Sequence, residues 1–181
     1  MMTPHPTGWH LFKQALAIRD AQPLDKGLRR INDRLGLLGE QRPTGRRKAA
    51  TIHIERTEDR ARSIFFTPDM DGQADSGEVV WVWAPADTPQ DPPQERAILV
   101  VGRTRTTILG LAISPNPEHA DESWWLEIGA GEWDDQGRQC WIRMDRVLEI
   151  SEEQVRRQGV LFPARRFERI ANRLRSTYRW G

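Results

Sequence analysis

From Glu78 to Ile150 the chain is a series of short β-branched and aromatic runs, each cut off by proline, glycine or acidic residues. Val79-Val80-Trp81-Val82-Trp83, Ala97 to Val101, Thr106 to Ser114, Trp124 to Ile128, Gln139 to Ile142 and Arg146 to Ile150 all have strand composition. Between the first two runs, Pro85, Pro89, Pro92 and Pro93 force an irregular loop, and Gly102-Arg103-Thr104-Arg105 has hairpin length. Pro115-Asn116-Pro117 ends the third run. In the first run Trp81 and Trp83 point to one face and Val80 and Val82 to the other, so both faces are apolar and each needs a cover. Near the C-terminus the period changes. Phe167, Ile170, Ala171, Leu174 and Tyr178 share one face of a helix over about 163–178. Short strands followed by one terminal helix predict a mainly β fold with helices, a small half-open barrel.

The residues before this region read differently. Trp9, Phe12 and Leu16, then Leu28, Ile31, Leu35 and Leu38, recur at helical spacing, with Pro23 between the two pieces. Residues 39–50 have linker composition, and Thr51 to Ile54 and Ser63 to Phe66 read as two short strands. The expected division is a basic, helical N-terminal extension with its linker over residues 1–50 and a barrel domain over 51–181. Ser151, followed by Glu152 and Glu153, looks like the cap of a helical turn.

Charge is uneven. The 27 basic and 26 acidic residues leave +1 overall. Residues 63–153 nevertheless hold 6 basic against 18 acidic residues, and residues 154–181 hold 8 arginines against Glu168 alone. Basic ends of this kind meet phosphate backbones or dock on the acidic middle. No apolar stretch approaches the roughly 20 residues that span a bilayer, and no secretory leader is evident, so a cytoplasmic protein without membrane contact is expected. The lone Cys140 rules out a disulfide framework and reads as a small half-buried residue between Gln139 and Trp141.

Several chemistries lack their motif. There is no phosphate-binding glycine loop, no dinucleotide fingerprint and no nucleophile elbow. His5, His10, His53 and His119 have no zinc spacing. Asp69-Met70-Asp71-Gly72 opens like a calcium loop but lacks the closing glutamate, and reads as a turn. The charged pair Glu95-Arg96 opens an otherwise apolar strand, and Ser114 closes another at the edge of a loop. Strand ends are where sites are grafted onto a β scaffold. An arginine beside a hydroxyl can bind a phosphate and stabilise a five-coordinate phosphorus. It can equally be an arginine salt-bridged to Glu78 or Glu95, with Ser114 capping a turn.

These runs resemble, in order, the PemK/MazF family of type II toxin–antitoxin toxins. Gly77-Glu78-Val79-Val80-Trp81-Val82-Trp83 is similar to the family's opening strand. Glu95-Arg96-Ala97-Ile98-Leu99-Val100-Val101 is similar to its arginine-led strand, with Ala97 where a proline is usual. Ile108 to Ser114 resembles the strand that ends in Thr or Ser, and Gly137 to Val147 the late strand with its Asp-containing turn. The likeness extends over about residues 63–180 and is strongest to a PemK-like subgroup of high-GC actinobacteria, through Pro68 to Gly72, Gly131 to Asp134 and Phe167 to Arg169.

The resemblance implies an SH3-like, plasmid-maintenance-toxin barrel with a C-terminal helix, here carrying the N-terminal helical extension. It implies a homodimer, and a possible antitoxin protein as a second partner. It also implies a sequence-specific endoribonuclease on single-stranded RNA that uses no metal or cofactor. In that reaction the 2′-hydroxyl attacks the adjacent phosphorus and leaves a 2′,3′-cyclic phosphate. By the same resemblance Arg96 is the catalytic arginine, Ser114 contacts the phosphate or assists proton transfer, and Glu78 orients Arg96 or acts as a base. Arg103, Arg105, Arg143 and Asp145 are the possible RNA-binding residues. The alternative keeps the barrel without catalysis, as a binding or regulatory relative masked by its N-terminal extension. Trp180, beside the last residue, is a possible interface anchor.

Overall fold

The computed structural model describes residues 48–69, 71–85 and 92–181. The helical pieces expected over residues 9–38 lie outside the described residues. Eight antiparallel strands carry the fold: β1 (Ile52–Arg56), β2 (Glu78–Ala84), β3 (Gln94–Arg103), β4 (Thr107–Ser114), β5 (Trp125–Glu127), β6 (Trp141–Arg143), β7 (Arg146–Ser151) and β8 (Val155–Leu161). The main order is β1-β7-β4-β3-β2-β8, and β6 pairs both β4 and β5 to bring the end of β4 into a second sheet. One helix, α1 (Ala164–Tyr178), follows β8.

The strand with apolar residues on both faces has a cover on each. Val79, Trp81, Ala97, Leu99, Leu109 and Leu111 face the main core, where Phe167, Ile170, Ala171 and Leu174 of α1 close the barrel. The opposite face, with Val80, Val82, Ile98, Val100 and Ile108, is covered by Ala50, Ala74, Ile52 and Val155 of the same chain. At Gly110 this packing leaves no room for a side chain, since a Cβ there would sit 2.2 Å from Ile98 Cγ2 and 3.2 Å from the Leu99 carbonyl oxygen.

The structure departs from the sequence reading at four places. Residues 63–66 form no strand. Ile64 is instead buried, and its N–H donates to the Gly181 carbonyl at 3.0 Å. β8 went unread because its residues, VRRQGVL, alternate poorly and carry a glycine. It still pairs with β2, through a bulge at Val79/Val80 that lets the strand bend. Ser151 precedes a 3-10 turn (Glu152–Gln154) as expected but makes no side-chain cap hydrogen bond. Trp180 is no free anchor: it is 4% exposed, and its indole N–H donates to the Thr57 carbonyl at 3.0 Å.

The basic tail docks largely on its own chain. Arg156 pairs with Glu95 at 2.7 Å and lies over the Trp81 ring. Arg157 grips Glu78, and Arg166 donates to the carbonyls of Ile128 and Ala130 at 3.1 and 2.9 Å. No described helix is long and apolar enough to cross a membrane.

Candidate functional site

Ladder register fixes which side chains share the outer face of the barrel. β3 pairs β4 with Ile98 opposite Ala112. The paired ladder ends there: Arg96 stands two residues before Ile98 at the start of β3, and Ser114 two residues after Ala112 at the end of β4, where β4 pairs with β6. On its other side Arg96 is the partner of Val82 in β2. Ser114 in turn pairs with Trp141 of β6, and Trp141 with Glu127 of β5. Val82 and Arg96 are thus partners in one sheet, and Ser114, Trp141 and Glu127 are partners in the other. Directly opposed residues point to the same side, and so do residues two apart along a strand. Two residues along, Val80, Ile98 and Ala112 are partners, and Arg143 is the register partner of Trp125. Arg96 and Ser114 thus lie at the same end of the β3–β4 pair, and Arg143 lies two residues from Trp141, the partner of Ser114.

Behind Ser114 the chain folds back. Asn116 caps a single 3-10 turn (Pro117–Asp121), its Oδ1 accepting the Glu118 N–H at 3.1 Å. A proline opens the turn, where its missing N–H costs nothing. The turn returns His119 to the strand end. His119 Nε2 lies 3.0 Å from Ser114 Oγ, and Nδ1 lies 3.5 Å from Glu122 Oε1. The imidazole stacks on the Trp125 ring, with centroids 3.6 Å apart and planes 10° apart. Ser114 Oγ also accepts the Asn116 N–H at 3.2 Å.

Sequence reasoning passed over His119 because no metal-ligand spacing and no strand position marked it. The available signal was Pro-Asn-Pro after the strand, a proline-started, Asn-capped turn that carries residue 119 back toward residue 114.

The remaining candidates lie elsewhere or have structural partners. Glu78 is 1% exposed and takes a bidentate grip from Arg157, with N–O distances of 2.8, 2.7 and 3.0 Å. Burial pushes its carboxyl above the usual range, and Arg157 pulls the other way. Val82, the partner of Arg96, is four residues further along β2. At about 3.3 Å per residue, Glu78 stands about 13 Å along the strand from Arg96, so the structure does not bring the two together.

Arg103 ends β3 seven residues, about 20 Å, from Arg96. It is held by Glu152 at 3.0 Å and lies 3.8 Å from Asp75. Arg105 is exposed in the β3–β4 turn at that same far end. Arg143 is joined to Asp145 by two hydrogen bonds, at 2.8 and 3.4 Å, and Arg146 reaches the same carboxylate at 3.4 Å. The candidates thus separate into one group at the β3 start and β4 end (Arg96, Ser114, Arg143, Asp145) and others at the opposite end of the sheet.

Among the described residues, Asp69, Asp71 and Asp75 alone stand close enough together to offer a cation three ligands. Asp69 and Asp71 are exposed, and each accepts a backbone N–H two residues on, at 3.0 and 2.9 Å, as ordinary turn residues do. Burial and the neighbouring Asp69 push the Asp75 carboxyl up to about 6. Cys140 is fully buried and its thiol is raised by that burial, as befits a packing residue.

The fold and this region define a class: a small antiparallel barrel closed by a C-terminal helix, with a strand-end serine in contact with a histidine and an arginine at the start of the neighbouring strand. Residues 75–178 match the family of PemK-like, MazF-like toxins of type II toxin–antitoxin systems, and the chain belongs to that family. β1 precedes the matched region, yet it pairs with β7 and completes the edge of the sheet. No curated protein matches the chain.

Proposed function

We propose that this protein is a toxin endoribonuclease that cuts single-stranded RNA at its outer barrel face, without metal or cofactor. The observation that supports this reading is that Arg96 at the start of β3 and Ser114 at the end of β4 each lie two residues beyond the paired Ile98 and Ala112, with Arg143 two residues from Trp141, the partner of Ser114. The 2′-oxygen bonds to the adjacent phosphorus as the bond to the 5′-oxygen breaks. Arg96 stabilises the extra negative charge of the five-coordinate phosphorus, through charge-assisted hydrogen bonds in a fixed geometry. Ser114 Oγ hydrogen-bonds the reacting group. Arg143, braced by Asp145, holds a neighbouring phosphate. Glu78 serves the fold and takes no part in the reaction. With this reading go a homodimer, an antitoxin protein that restrains it, and a cytoplasmic setting.

The test is cleavage of a long single-stranded RNA in EDTA by the wild type and by Arg96→Ala. Discrete cuts bearing 2′,3′-cyclic phosphates, reduced at least 100-fold in a folded Arg96→Ala, support the reading. Equal cutting by the variant removes Arg96 from its role.

One observation favours a second element, masking by the N-terminal extension. The Ala50 N–H donates to the Trp83 carbonyl at 2.8 Å, and Trp83 is the partner of Glu95, the neighbour of Arg96. The chain that follows residue 47 therefore enters the fold beside the candidate site. Removing residues 1–47 leaves β1 intact, whereas a cut at residue 62 would delete it. Masking predicts more cleavage by the shortened chain; unchanged cleavage rules it out.

A further inference from the structure

We infer that Glu122, His119 and Ser114 form a proton relay, in which His119 acts through Ser114 as the positioning residue that takes up the proton released at the site. The inference rests on the ribonuclease reading for its reaction and on geometry for its direction.

A hydroxyl has one hydrogen to donate and two lone pairs to accept with. On Ser114 Oγ one lone pair is used by the Asn116 N–H at 3.2 Å. The histidine tautomer decides the rest. Nδ1 faces the Glu122 carboxylate at 3.5 Å, an acceptor, so the ring hydrogen belongs on Nδ1. Nε2 is then an acceptor 3.0 Å from Ser114 Oγ, and the serine hydrogen points at it. The second serine lone pair is left for substrate, on an oxygen whose own proton has somewhere to go. The flat Trp125 ring fixes the imidazole plane, so the ring cannot turn away.

Three features separate this from an incidental surface histidine. The His119 side chain is only 15% exposed. Ser114 is 9% exposed. The carboxylate, imidazole and hydroxyl lie in series on an Asn-capped turn. The groups facing the ring from each packed element are Glu122 on its own turn, Ser114 on β4 and Trp125 on β5. Behind Trp125, β6 contributes Arg143, whose charge is met by Asp145.

The balance is as follows. As the 2′-oxygen bonds to phosphorus, its proton passes to Ser114 Oγ while the serine proton passes to His119 Nε2. The imidazolium formed is countered by Glu122. The P–O5′ bond breaks, the 5′-oxygen takes a proton from water, and His119 returns its proton to the hydroxide so formed. No electron changes owner.

The experiment uses the full chain in two readouts. The first is the ¹⁵N spectrum of the histidine rings at pH 8, with His119 assigned by His119→Gln. The expected result is hydrogen on Nδ1 and a bare Nε2, with that preference weakened in Glu122→Gln. Hydrogen on Nε2 in the wild type would overturn the relay whether or not RNA is cut. The second is the rate of RNA cleavage from pH 5 to 9. The wild type is expected to climb through an inflection with rising pH. His119→Gln is expected to lose that inflection and 10²- to 10⁴-fold in rate, the range of general acid–base catalysis. A variant that keeps both the rate and the inflection overturns the relay. A wild type that cuts nothing yet shows the expected tautomer would strike the ribonuclease reading and leave the hydrogen-bonded series standing.

Discussion

The buried ion pair between Glu78 and Arg157 makes a sharp test of the structural role given to Glu78. The Glu78 side chain is 2% exposed and that of Arg157 12%. Removing one partner leaves the other charge buried without compensation, which costs about 3–5 kcal/mol. Arg157→Met does this to the less exposed group. Its expected loss is about 4 kcal/mol in urea unfolding at pH 7, a fall of roughly 10–20 °C in Tm for a domain of this size. Glu78→Gln is milder, about 1–3 kcal/mol, because the amide oxygen still accepts from the guanidinium. The double change Glu78→Leu with Arg157→Leu buries no charge and is expected within about 2 kcal/mol of the wild type. With Glu78→Leu and Arg157→Leu measured singly as the other corners, the double-mutant cycle yields a coupling of about 3 kcal/mol or more.

The pH dependence has a definite sign. Burial already raises the Glu78 carboxyl, and in Arg157→Met the opposing arginine is gone. A carboxyl raised in the folded state is most favourable to folding when protonated, below its unfolded value, and that contribution is lost as pH rises through the folded value. The deficit of Arg157→Met should therefore shrink toward pH 4 and be largest above neutrality. Losses that simply add, or a deficit independent of pH, would refute the reasoning. On the proposal that Glu78 serves the fold of an RNA-cutting protein, the leucine pair also cuts RNA at the wild-type rate.

Other outcomes follow from the packing and the charges. Gly110→Ala should lose about 1–3 kcal/mol, since its Cβ meets Ile98 Cγ2 and the Leu99 carbonyl; adding Ile98→Val should recover nothing, because valine keeps that Cγ2, and thermal melts decide. Phe167→Ala should lose about 3–5 kcal/mol by opening the seam between α1 and the barrel, read by denaturant unfolding. Asp75, raised to about 6, weakens the fold as pH rises past that value. Asp75→Asn should therefore gain about 1–2 kcal/mol above pH 7, after a discount for solvent screening, and gain nothing below pH 4, as a Tm series across pH would show.

The strands from Val79 to Ile150 were legible because short apolar runs between prolines and glycines leave little else to build. The helix was legible because Phe167, Ile170, Ala171 and Leu174 repeat at helical spacing. β8 was hidden, since its placement comes from Arg156 and Arg157 reaching Glu95 and Glu78 and not from a pattern of its own. At the site, Arg96 and Ser114 were legible as polar residues at the ends of apolar strands. Their place at the same end of the β3–β4 pair was not, because register is set between strands. His119 depended on a turn that brings residues five apart in sequence into contact. Glu78 and Arg103 were legible as charged residues on these strands, and the partners they take were not. Residue type suggested a shared cleft, and tertiary pairing sent each to a different partner.

The most direct measurement is cleavage, in EDTA, of a short RNA containing one mapped cut site, beside the same oligonucleotide with a single 2′-deoxy nucleotide immediately before the cut. Reaction through the 2′-oxygen predicts cleavage of the first, leaving a cyclic phosphate, and none of the second. Equal cleavage of both would show that the 2′-hydroxyl is not the nucleophile, and would contradict the mechanism assigned to Arg96 and Ser114.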